Sequence, residues 1–277
     1  RWDIVADKDL EMLIKGQLYT AHQATQKLRR IPLKVRIEVL REFGDRLRAQ
    51  QAKWRMLTVQ ESYAYNAFLV SFDAILEIFQ PSYFDFIEGI FQPVQKSGCT
   101  ARLEHAPYGV IGVISPQNSS FPMLTQVLHG AFLAGNALLI KPPHRLALVA
   151  LALVDEFNGV LKDCGMPNHL INTVVHPNTR KILAHWLGQK QRNARIDNLI
   201  FIGNSKRRDE IVQTCQQAGI YNPIIELEGV DAAYVHEDLT DERLRITARL
   251  IAHAKNAGSG QFCVSLKRLY VHPKVYE

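Results

Sequence analysis

The sequence has no uncharged apolar run approaching the roughly 18 residues that a membrane-spanning helix needs. Its first residues, Arg1-Trp2-Asp3, do not open a basic-then-apolar leader. A membrane partner and a secretory signal are therefore not expected, and the chain is read as cytoplasmic. An initiator Met is also lacking, which leads to the expectation of a processed or trimmed piece of a longer protein. Cysteine is scarce, with only 4 in the chain (Cys99, Cys164, Cys215 and Cys263) and no Cys-x-x-Cys pair among them. Neither a metal site nor a disulfide framework is expected from that spacing. The basic clusters Lys27-Leu28-Arg29-Arg30 and Lys206-Arg207-Arg208 contain no interleaved aromatic residues, so the formal charge of +6 does not point to nucleic acid. It suits small anionic ligands such as nucleotides or coenzyme A.

With 277 residues, 47% of them hydrophobic and 22% charged, the chain can bury one large core or two modest ones. From Asp7 to Phe91, apolar residues recur every three or four positions, as in Ile37, Val39, Leu40 and Phe43, which predicts a helical leader punctuated by Pro32 and Pro81. The segment Val94-Gln95-Lys96-Ser97-Gly98 reads as the turn that closes it. Beyond Cys99, short apolar runs rich in β-branched residues alternate with amphipathic stretches. Strands are predicted at Tyr108–Ser115, Ala137–Lys141, Leu170–Val175, Leu199–Ile202 and Ile224–Leu227. Helices are predicted between them at Met123–Leu133, Leu146–Lys162, Lys181–Leu187 and Arg208–Gln217. This alternation argues for an α/β fold with a doubly wound parallel sheet, whose ligands bind at the carboxyl ends of the strands. Ala232–Val235, Asp241–Lys255 and Arg268–Val271 then read as strand, helix and strand of a second unit. Trp2, Trp54 and Trp186 fall on predicted helices and read as packing residues.

The sharpest local feature is Gly258-Ser259-Gly260-Gln261-Phe262-Cys263, a glycine-rich turn between a helix and a strand. Such a turn lets the backbone approach a ligand closely. Taken alone, Cys263 fits a buried structural thiol as well as a nucleophile.

Other motifs occur in order before it. Pro116-Gln117-Asn118 is followed by Phe121-Pro122, and then come Lys141-Pro142, Phe201-Ile202-Gly203-Asn204 and Glu226-Leu227-Glu228-Gly229. Gly260-Gln261-Phe262-Cys263 is followed by Arg268 five positions after the cysteine. Together they resemble the aldehyde dehydrogenase superfamily, over Tyr108 to Val271 and more weakly back to about residue 20. The resemblance implies a Rossmann-like sheet of that family's type, with residues 1–227 as an NAD(P)-binding domain that includes the helical leader. Residues 228–277 would open a second, α/β catalytic domain that is apparently incomplete.

It further implies NAD(P)-dependent oxidation of a small-molecule aldehyde to a carboxylic acid. Cys263 would be the nucleophile, Asn118 an oxyanion donor and Glu226 the general base that activates water. Ser115, Pro116, Lys141, His144, Gly203, Asn204 and Leu227 would form the cofactor site, with Lys141 on the adenosine ribose. The complete protein would be a homodimer or homotetramer. An acylating enzyme that uses a thiol such as coenzyme A as acceptor, or a catalytically silent dinucleotide-binding module, are the alternatives. The carboxylate at 226 leans towards hydrolysis.

The pattern also departs from the family. Gln117 replaces the usual Trp, and Ser119-Ser120 lengthen the oxyanion loop. His144 stands where a ribose-binding Glu is common, and with Arg145 beside it the lost carboxylate and added positive charge leave room for a 2′-phosphate, so NADP is possible as well as NAD. Arg208 and Glu228 stand where glycines are usual, and Asn256 sits two positions early.

Overall fold

The computed structural model describes residues 3–62, 72–92, 94–95, 98, 102–188 and 192–276. Cys99 and Trp2 lie outside the described residues. The leader forms α1 (Asp7–Leu28), α2 (Leu33–Ala49), α3 (Gln51–Ser62) and α4 (Pro81–Phe91). In α1 the buried residues Leu10, Ile14, Leu18, Ala21, Ala24 and Leu28 follow the three-and-four spacing of one helical face. That face packs against the central sheet, while α2 and α3 pack on helices that flank it. Pro32 immediately precedes α2 and Pro81 is the first residue of α4, positions where the missing N–H costs nothing.

A short antiparallel pair, β1 (Val94–Gln95) and β2 (Arg102–Leu103), follows. The sequence reads 94–98 as a turn throughout, but only Gly98 is described as one, with φ +76°. Runs of two residues are too short to show the alternation by which strands are recognised.

The remaining elements alternate as expected. They are β3 (Val110–Ile114), α5 (Ser120–Leu133), β4 (Ala137–Lys141), α6 (Leu148–Asp163), β5 (Ile171–Thr173), α7 (Thr179–Leu187), β6 (Asn198–Ile202), α8 (Arg208–Gln217) and β7 (Ile224–Glu226). The strands form one five-stranded parallel sheet in the order β5-β4-β3-β6-β7. β3 and β4 are buried at every position, which is why both read as unbroken apolar runs. From β3 the chain winds outward through β4 to β5, then returns to the other side of β3 at β6. Ile114 is thereby paired with Lys141 on one side and Phe201 on the other. Crossovers that diverge in this way leave a crevice over the carboxyl ends of β3 and β6.

One hydrophobic core joins the leader helices to the sheet. Trp54 and Trp186 are fully buried in it, in line with a packing role. After β7 the chain forms a separate parallel pair, β8 (Ala232–Val235) and β9 (Arg268–Val271), connected by α9 (Asp241–Asn256). Thr240 caps α9 by accepting a hydrogen bond from the Arg243 N–H at 3.4 Å.

Candidate active site

Between α9 and β9 the backbone turns sharply through Gly258, Ser259 and Gly260, at φ 56°, 57° and 72°. Two of these left-handed positions are glycine, but Ser259 is not, and non-glycine residues held in this region are concentrated at functional sites. A side chain at 258 would also strike the Phe262 ring, 2.7 Å from the position of its Cβ. The turn is held from beyond Cys263. Ser265 Oγ donates to the Ala257 carbonyl at 2.8 Å, and Lys267 Nζ donates to the carbonyls of Phe262 at 2.8 Å and Gly260 at 3.3 Å. Phe262 is buried while Cys263 stays partly exposed, facing the crevice. Asn256, by contrast, turns back on its own helix, donating to the Ala252 carbonyl at 2.8 Å.

The loop after β3 meets this turn. Asn118 Nδ2 donates to the Gln261 carbonyl at 2.6 Å, two residues before Cys263. A primary amide carries two N–H donors, so this contact occupies one and leaves the other for a ligand. The sequence places the start of the next helix at Met123, but α5 begins at Ser120. Ser119 sits at the N-cap and Ser120 is the first helical residue, with Ser120 and Phe121 buried. Ser120 Oγ donates to the Pro116 carbonyl at 3.4 Å and also reaches Glu61 of α3. Glu61 is buried and accepts from the Val149 N–H at 3.3 Å, and burial raises its pKa. Nothing in the sequence marks Glu61, since one glutamate in a helix reads as part of a solvated face.

β7 delivers Glu226 to the same place. The Glu226 carbonyl accepts from the Gly203 N–H at 3.0 Å, joining the ends of β6 and β7, and the Glu226 side chain is exposed to the crevice. Leu227 packs partly buried against the core. At Gly229 an added Cβ would lie 2.4 Å from the Cys263 carbonyl oxygen, so the chain leaving β7 runs directly against the backbone of Cys263. Three residues of chain reach about 11 Å at most, which keeps Glu226 close to that contact.

On the far side of the crevice, Lys141 is 5% exposed, with its Nζ donating to the Pro142 carbonyl at 3.1 Å. Burial pulls its pKa down to about 8. Ser115, buried beside it, donates its N–H to the Lys141 carbonyl at 3.2 Å, while its hydroxyl has no protein partner. Pro116 is buried and His144 partly exposed. The pKa of His144 is lowered by desolvation first, then by Lys141, Arg145 and His176. Asn204 caps the segment leading into α8, its Oδ1 accepting from the Lys206 N–H at 2.8 Å.

Every residue named from the sequence as catalytic or cofactor-binding lines a single cleft of about 550 Å³. Arg180, Arg207, Glu228 and Lys267 line it as well. Of these, Arg207 lies in a basic cluster visible in the sequence, and Glu228 was visible only as a departure from a glycine pattern. Cys164 and Cys215 lie outside the cleft, and burial pushes the Cys215 thiol up to about 11. Among the described residues, no cluster of His, Cys, Asp or Glu is arranged to hold a metal. No helix is long and apolar enough to cross a membrane among those residues.

Comparison with known proteins gives a consistent set of relatives. The profile of the aldehyde dehydrogenase family matches residues 8–277. A 4,4'-diapolycopene aldehyde oxidase of Methylomonas sp. is 32% identical over 180 residues, 65% of this chain and 31% of the relative. An N-succinylglutamate 5-semialdehyde dehydrogenase of Sphingopyxis alaskensis is 28% identical over 282 residues, 96% of this chain and 52% of the relative. The chain therefore spans between about a third and a half of these curated relatives. Among solved structures, the glyceraldehyde-3-phosphate dehydrogenase GapN of Methanocaldococcus jannaschii, complexed with NADP, superposes with TM-score 0.83 at 17% identity, covering 100% of this chain and 57% of that one. The NAD+ complex of an aldehyde dehydrogenase from Bacillus cereus gives 0.81 at 20%, covering 96% and 53%.

Proposed function

The chain belongs to the aldehyde dehydrogenase family, and from that membership we propose that it carries the nicotinamide site and nucleophile of an enzyme that oxidises an aldehyde to a carboxylic acid. The observation that carries this reading is the convergence of Cys263, Asn118 and Glu226 on one cleft at the carboxyl ends of the sheet. Residues 1–227 are taken as the cofactor-binding domain and 228–277 as the opening of the catalytic one. Free thiols at Cys164, Cys215 and Cys263 support a cytoplasmic location. A homodimer or homotetramer is proposed on family resemblance alone.

A nicotinamide dinucleotide fits the residues present. The buried Ser115 hydroxyl lacks a protein partner, and the buried Lys141 ammonium is desolvated with one carbonyl for company. Both are groups that a polyhydroxylated ligand would satisfy. Lys141 and His144 would hold the adenosine ribose, with Ser115, Pro116, Gly203, Asn204 and Leu227 forming the walls. Either NAD or NADP is accommodated in this reading, since positive charge at Arg145 beside His144 favours a 2′-phosphate without requiring one. When bound, the nicotinamide ring supplies a hydride acceptor.

The Cys263 thiolate attacks the aldehyde carbon, and negative charge passes to the carbonyl oxygen. The second N–H of Asn118 and the backbone N–H of Cys263 stabilise that oxyanion. After oxidation Cys263 carries the acyl group as a thioester. Glu226 takes a proton from water as its oxygen attacks the thioester carbon, and the Cys263 sulfur leaves as the acid is released. The carboxylate at 226 supports water rather than a thiol as acceptor.

In the intact protein, aldehyde-dependent reduction of NAD or NADP should fall at least about a thousandfold in Cys263→Ala, with dinucleotide affinity retained in calorimetry. Undiminished turnover in that variant would remove the nucleophile assignment.

A further inference from the structure

We propose that Glu228 is an internal anion that occupies the phosphate-binding end of the cleft, and that an incoming dinucleotide must exchange with it. The inference rests on the dinucleotide reading above. Glu228 grips Ser205 with both carboxylate oxygens. The Ser205 N–H donates to Oε2 at 2.8 Å and the Ser205 hydroxyl to Oε1 at 2.5 Å. Ser205 opens the helical run that continues through Arg207 into α8. A helix N-terminus presents unsatisfied N–H groups and the positive end of its dipole, the arrangement that holds phosphate.

The other donors of this first turn are satisfied locally. The Lys206 N–H goes to Asn204 Oδ1 at 2.8 Å and the Arg207 N–H to the Asn204 carbonyl at 3.0 Å. Only the Ser205 pair is held from the neighbouring strand end, by an exposed side chain on the segment that leaves β7. The hydrogen bonds from Ser205 and the nearby Lys206 charge lower the Glu228 pKa, so the carboxylate stays ionised at neutral pH. It therefore opposes a bound pyrophosphate twice, by holding the donors that the phosphate would use and by placing a like charge beside it. A glycine in its place would impose neither cost. Glu228 sets affinity in this account and takes no part in the chemistry.

The test is calorimetric titration of the intact protein, Glu228→Gln and Glu228→Ala with NAD, NADP and, separately, inorganic pyrophosphate. Gln keeps the shape and an acceptor oxygen while removing the charge, so it reports on the charge even if Ala disturbs the loop. Dinucleotide and pyrophosphate should both bind Glu228→Gln roughly tenfold more tightly, the scale of one relieved like-charge contact. Equal or weaker binding of both probes to Glu228→Gln overturns the exchange, and if the unaltered protein still binds dinucleotide in that case, the dinucleotide reading stands without it. If only pyrophosphate tightens and no form binds dinucleotide, the exchange stands and the dinucleotide reading falls. Failure of every form to bind either probe overturns both.

Discussion

At Lys141, burial holds the ammonium pKa down at about 8, which ties the proposed ribose contact to the stability of the fold. Its unfolded value is 10.5, so between the two the unfolded chain binds more protons than the folded one. Stability should therefore rise as pH increases from about 8 towards 10.5 and carry the full cost of burying the charge below pH 8. Replacing Lys141 with Met should stabilise the fold at neutral pH by on the order of 1–3 kcal/mol and flatten the rise above pH 8. The same substitution should weaken dinucleotide binding about tenfold, because a donor to the ribose is lost. Thermal unfolding scanned from pH 7 to 10, paired with calorimetry, checks both. A variant that unfolds earlier than the unaltered protein at pH 7 would mean that the ammonium stabilises the fold instead.

Among the elements, the turn from α9 into β9 depends on the strand beside it. Gly229 follows β7 and its Cα sits against the Cys263 carbonyl, with a built Cβ at 2.4 Å from that oxygen and 2.9 Å from Asp231 Oδ2. The first neighbour is backbone and cannot swing aside, while the Asp231 carbonyl ties this segment to the start of β9 by accepting from the Lys267 N–H at 2.9 Å and the Arg268 N–H at 3.1 Å. Gly229→Ala should thus push the nucleophile turn aside, costing about 1–3 kcal/mol of stability and at least tenfold in turnover. Chemical denaturation and steady-state kinetics would show it, and unchanged turnover would place Cys263 out of reach of this strand.

This contact was illegible in the sequence, where Gly229 is one glycine of a motif and Cys263 lies 34 residues on. What could be read were the strands themselves. β3 and β4 are buried throughout, and their apolar runs, ending at Ser115-Pro116 and Lys141-Pro142, put Ser115 and Lys141 at strand ends from the sequence alone. α5 starts earlier than the sequence suggests because Ser119-Ser120 resemble loop composition, whereas Ser120 and Phe121 are buried within its first turn. Glu61 and the Glu228–Ser205 contact were hidden for a related reason. Each joins segments far apart in sequence, and periodicity carries no signal for such pairs.

Across the whole molecule, the leader and the sheet act as one support. Leu10, Ile14 and Leu18 of α1 share a core with Val113, Leu139 and Leu199 of the central strands. The Gln17 side chain donates to the Thr173 carbonyl at 2.8 Å, and the Val5 N–H to the Val175 carbonyl at 3.0 Å. That support fixes the strand ends over which the cleft opens, and the chain beyond β7 brings Cys263 back to them. The central claim is that this return places a nucleophile, with Glu226 as the base that clears it. The most direct measurement is intact mass and peptide mapping of the full protein carrying Glu226→Gln, incubated with an aldehyde and the nicotinamide cofactor that it binds. The account expects one equivalent of reduced cofactor in a burst, steady-state turnover lowered by about 10²–10⁴, and an added acyl group on Cys263. An unmodified Cys263 with undiminished steady-state oxidation would contradict it.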